Sequence, residues 1–120
     1  MNAYSITAAM VAFISSLNIG DGCSTQVPYT RPGRFQTLEN IGGEIDSKVC
    51  HTTVAIQCWA LDESTAEADS NAVALAIETS MPPEGVHSMH VSQTGYPWFD
   101  DSTRCPRYQL VCEITHQLTD

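Results

Sequence analysis

A chain of 120 residues, 42% of them hydrophobic, is long enough for one domain with a single core, which buries roughly 60–70% of the unfolded surface. Fourteen acids against five bases give a formal net charge of −9, which speaks against tight nucleic-acid binding, since neutralising phosphates needs lysine and arginine. The longest apolar run is far too short to cross a bilayer, and no signal-peptide pattern opens the chain. The five cysteines (23, 50, 58, 105 and 112) are odd in number and lack a Cys-x-x-Cys, so they do not read as a disulfide framework. The expectation is a protein made inside a cell.

In chain order, residues 3–17 predict a first helix, with Ile6, Met10, Phe13 and Leu17 at helical spacing and Ala9 and Ile14 widening the stripe. No lysine or arginine lines its polar side, so the stripe suits a core or a protein partner better than a membrane surface. Residues 18–33, with Gly20, Gly22, Pro28, Pro32 and Gly33, predict a long irregular loop in which Tyr29, Arg31 and Arg34 are the contact-making side chains. Residues 34–41 and 48–60 predict an antiparallel pair turning at Gly42-Gly43, with Glu44 and Asp46 at or near the tip. The second strand alternates cleanly, Val54, Ile56, Cys58 and Ala60 against Thr53, Ala55, Gln57 and Trp59.

The period then changes to 3.6. Ala72, Val73, Ala76 and Ile77 share one face of a helix, with Asp69 and Glu78 away from its centre. Ser64-Thr-Ala-Glu67 fits a capping box at its start, and Met81-Pro82-Pro83 stops it. Val86–Thr94 predicts a modest strand and residues 95–106 a second irregular loop holding Tyr96, Trp98, Phe99, Asp100, Asp101 and Arg104. The last strand, Arg107–Leu118, alternates Tyr108, Leu110, Cys112, Ile114 and Leu118 on one face with Gln109, Glu113, Thr115 and Gln117 opposite. The order α-β-β-α-β-β predicts an α+β fold: an antiparallel sheet with two helices packed on one face.

No constellation carries chemistry. His87 and His90 stand at odd spacing in a strand and point to opposite faces, as do Cys50 and His51. Asp100-Asp101 has no companion ligands, and no Gly-x-x-x-x-Gly-Lys occurs. Cys58 and Cys112 lie on apolar strand faces and read as buried thiols. The expectation is a protein without catalytic residues, metal or cofactor. Tyr96, Trp98 and Phe99 in four residues are costly to leave in water, and aromatics with arginine dominate protein interfaces. Candidate interface residues are therefore Tyr96, Trp98, Phe99, Arg104, Arg107, Tyr29 and Arg31.

Ile41-Gly-Gly43, the strand ending in Cys58-Trp-Ala60, the acid-and-alanine helix and Cys105-Pro-Arg-Tyr-Gln-Leu-Val111 together resemble the tail terminator (tail completion) proteins of long-tailed bacteriophages. The resemblance covers roughly residues 34–115. It departs at Lys48-Val-Cys-His51, where the family often carries charged residues, and it is weaker in the N-terminal third. It implies a single domain spanning 1–120 that forms a homo-hexameric ring at the head-proximal end of the virion tail, made in the host cytoplasm. Such a ring ends polymerisation of the tail tube protein and docks onto the neck or head-completion protein. DNA passes through it without specific binding, and no membrane is involved. An acidic subunit suits that passage, with Glu44 and Asp46 as candidate channel-lining residues. A neck or head-completion connector and a monomeric acidic protein-binding module are the alternatives.

Overall fold

The structure, a computed structural model, describes residues 2–28, 33–98 and 106–119. Helix α1 spans Ile6–Ser15 and is followed by a two-residue strand β1, Cys23–Ser24. Strands β2 (Phe35–Asp46) and β3 (Val49–Trp59) come next, then α2 (Glu63–Thr79), β4 (Val86–Pro97) and β5 (Arg107–Gln117). The strands form one sheet in the order β1-β2-β3-β5-β4.

The sheet is mixed, which corrects the antiparallel sheet expected from the sequence: β1 runs parallel to β2, with Cys23 opposite Gln36 and Ser24 opposite Thr37. The cause is local. The Ser15 hydroxyl at the end of α1 accepts from the Cys23 amide (3.1 Å) and donates to the Cys23 carbonyl (3.3 Å), and Gln36 N–H donates to the Gly22 carbonyl. Two residues are too few to show an alternating pattern, so the stretch reads as loop.

The β2–β3 hairpin also turns later than expected. Its two-residue turn is Ser47-Lys48, both with positive φ (51° and 72°), the geometry that matches strand twist. Gly42 and Gly43 lie inside β2. Gly42 sits at a bulge, where its N–H donates to Asn40 Oδ1, and Gly43 passes so close to β3 that a Cβ would fall 1.8 Å from the His51 carbonyl oxygen. Gly42 supplies the positive φ (106°) of the bulge and Gly43 the close approach, and neither makes the turn. Strand β4 runs on to Pro97 with three register shifts, taking Tyr96 out of the loop expected from residue 95.

Both helices pack on one side of the sheet. Ile6, Met10 and Ile14 of α1 and Val73 and Ile77 of α2 share a core with Leu38, Val54, Ile56, Cys58, Leu110, Cys112 and Ile114. The Cys58 and Cys112 thiols are buried here; burial pushes Cys112 up to about 12 and Cys58 higher still, so both are neutral packing groups. The α2 N-cap is Asp62, whose carboxylate accepts from the Thr65 amide and hydroxyl, in place of the expected box at Ser64–Glu67. Asp69, expected off the buried stripe, is 2% exposed. Arg34 reaches it with two hydrogen bonds, Nε to Oδ2 and Nη2 to Oδ1, which is how a carboxylate is kept inside the helix–sheet interface.

Candidate functional site: the helix-free face of the sheet

Strand alternation and register fix what lies on the other face. In β3 it takes His51, Thr53, Ala55, Gln57 and Trp59; in β5, Arg107, Gln109, Val111, Glu113 and Thr115; in β2, Phe35, Thr37 and Glu39, then Glu44 and Asp46 beyond the bulge. Among the described residues no helix covers this face. It has three zones.

At one end the Phe35 and Trp59 rings stack at 5.5 Å, and the Arg107 guanidinium lies 4.5 Å from the Trp59 centroid. Arg107 Nε also donates to the Trp98 carbonyl (2.7 Å), while Trp98 N–H donates to the Arg107 carbonyl (3.0 Å). The Trp98 backbone is therefore held on both sides, yet the residue stays 45% exposed, its ring edge-on to Tyr96 at 6.1 Å.

In the middle, Thr37, Gln57, Gln109 and Tyr96 stand in one row across four strands. Trp59 Nε1 donates to Thr37 Oγ1, Thr37 donates to Gln57 Oε1 (2.7 Å), Gln57 Nε2 donates to Gln109 Oε1 (2.6 Å), and Gln109 Nε2 donates to the Tyr96 hydroxyl. Each amide uses both of its ends, so the row is a directed chain of hydrogen bonds that ties β2 to β4.

At the far end the face is acidic. Glu39, Glu44 and Asp46 of β2 and Glu113 of β5 are all exposed. Glu44, His51, Thr53, Glu113 and Thr115 line a concavity of about 520 Å³, in which His51 Nδ1 lies 3.2 Å from Thr115 Oγ1.

The expected site residues divide accordingly. Glu44 and Asp46 share the acidic zone, lying on β2 just before the turn. Tyr96, Trp98 and Arg107 come together at the opposite end. Tyr96 is tied inward through its hydroxyl, Arg107 lies against Trp59, and Trp98 is the ring presented outward. Phe99, Arg104, Tyr29 and Arg31 lie outside the described residues, as do Asp100 and Asp101. The sequence reading missed the hydrogen-bonded row and the contribution of Glu39 and Glu113. Only strand register, which composition does not encode, brings these residues together. Cys50 and His51 take opposite faces, Cys50 buried and His51 exposed. Among the described residues no three His, Cys, Asp or Glu side chains are grouped to hold a metal ion. The arrangement offers shape, a charged surface and an exposed ring.

No protein-family model matches the chain, and no curated protein is similar to it. Among solved structures, a chain of a particle described as "Virion of native gene transfer agent (GTA) particle" superposes with a TM-score of 0.60 at 15% identity, covering 96% of this chain and 87% of that one. At that identity the likeness is one of architecture.

Proposed function

We propose that this chain is a structural virion protein of a tailed phage or phage-like particle, and that it forms a ring, six-membered by the family resemblance, at the head-proximal end of the tail tube. The carrying observation is the shared fold with a virion chain over nearly the full length of both. The resemblance of residues 34–115 to tail terminators supports the finer placement. The work is done by association, with no bond made or broken by the polypeptide. Each subunit shows one surface to one neighbour and a different surface to the other, and closure ends polymerisation. Trp98 serves contacts to adjoining proteins. The acidic end of the helix-free face, Glu44 and Asp46 included, lines the hole and keeps DNA sliding, because like charge disfavours adhesion.

Labelling this chain in purified particles tests the placement. One ring at the junction of tail and head is the expected image, and label anywhere else overturns the reading. A stable monomer at all concentrations that never joins tail tubes would replace it with an acidic protein-binding module. For the lumen, Glu44→Gln with Asp46→Asn is expected to leave assembly intact and slow DNA ejection; normal ejection removes these two residues from the channel.

A further inference from the structure

The two edges of the sheet are unlike. On β4, three register shifts break the line of backbone groups, and Glu78 of α2 accepts from the Val91 amide (2.6 Å), with His90 Nδ1 3.0 Å from the same oxygen. That edge is blunted against further pairing. On the opposite side, β1 covers only Gln36 and Thr37, so from Glu39 to Asp46 the described residues pair β2 on its β3 side alone. Along this stretch alternate backbone groups bond β3 and the Gly42 amide is taken by Asn40, so the groups of about every other residue are left open to whatever lies alongside.

The flanks of that edge state what fits. Toward the helix-free face stand Glu39, Glu44 and Asp46, all exposed. Toward the helix side, Ile45 is 63% exposed at the rim of a hollow of about 420 Å³ lined by Asn40, Gly43, Cys50 and Thr52, and Ile41 in the bulge is 57% exposed. A strand laid here would send alternate side chains to these two sides.

We propose that the Glu39–Asp46 edge takes up an extended segment of another protein as an added strand, a segment in which lysine or arginine alternates with apolar residues. Backbone bonds supply the attachment and the two flanks supply selectivity. A second copy of this chain does not fit. It carries one lysine and four arginines, no two of them separated by a single residue, so no segment of it presents the alternating cations this edge selects. The inference rests on the geometry of β2 and not on where the chain sits in a particle.

The test is fluorescence anisotropy with a labelled ten-residue peptide alternating lysine and valine. Saturable binding is expected. The triple variant Glu39→Gln, Glu44→Gln, Asp46→Asn, checked for an unchanged melt, should bind about tenfold more weakly, the sum of three exposed ion pairs. N-methylation of one alternate set of peptide amides should abolish binding and methylation of the other set should not, since only one set faces the edge. Equal tolerance of both sets would reduce the effect to charge attraction and overturn the proposal. So would equal binding of a glutamate–valine peptide, or a sedimenting dimer of this chain that the peptide cannot displace. Particle imaging is a separate readout, so either reading can fail without the other.

Discussion

On the helix-covered side of the sheet, Leu38, Ile56, Leu110 and Ile114 meet Met10, Ile14, Val73 and Ile77 with at most 2% exposure. On the bare side the corresponding rows hold Thr37, Gln57, Gln109 and Tyr96, then Glu39, Glu44, Asp46 and Glu113. The first side is held by non-directional burial, which tolerates rearrangement and punishes lost volume. The second is held by directed bonds that exist in one register only, and its charges are left for something outside the subunit. One sheet thus separates a side that holds the fold together from a side whose charges face solvent.

The contrast can be broken most strongly on the covered side. Leu110→Ala is expected to cost about 2–5 kcal/mol in denaturant unfolding, because it leaves a cavity between both helices and the sheet. On the bare side, Gln57→Ala removes two links in the middle of the hydrogen-bonded row and should cost about 1–2 kcal/mol, with faster amide exchange near Thr37 and Gln109. A loss matching that of Leu110→Ala would mean that the bare face carries as much of the stability as the core. Trp98→Ala should shift stability by only about 0.5 kcal/mol and, on the function proposed above, weaken ring or tail attachment severalfold, as for an exposed ring on a clamped backbone. Equal loss of both would make Trp98 part of the core.

The smallest effect concerns pH. The hydrogen bonds from Thr65 hold the Asp62 carboxyl below the usual carboxylate range, so its contribution to capping α2 is complete above that range. It is lost as pH falls through the lowered value. The gap in melting temperature between the native chain and Asp62→Ala should therefore close on acidification and stay constant near neutrality.

The sequence made the covered side legible and the bare side largely not, for a physical reason. Burial leaves a periodic trace: period two in β3 and β5 and period 3.6 in the helices named Val54, Ile56, Leu110, Met10 and Val73 correctly. Asp69 was misplaced because a carboxylate is buried only where a partner elsewhere in the chain reaches it, and Arg34 is 35 positions away. Gly42-Gly43 pointed to a turn because glycine permits turns, but here Gly42 permits a bulge with positive φ and Gly43 a close approach to β3. Threonine and glutamine on a strand read as solvated until register shows them bonded in a row. Within the aromatic cluster, composition could not tell that Tyr96 is tied inward while Trp98 faces out.

The turn at Ser47-Lys48 has a practical corollary. Lys48 is the sole lysine of the chain and it is exposed at the extremity of the β2–β3 hairpin. Apart from the terminal amine, an acylating dye therefore has a single address. The speed at which it modifies assembled material, set against the free subunit, reports directly whether that extremity is occluded.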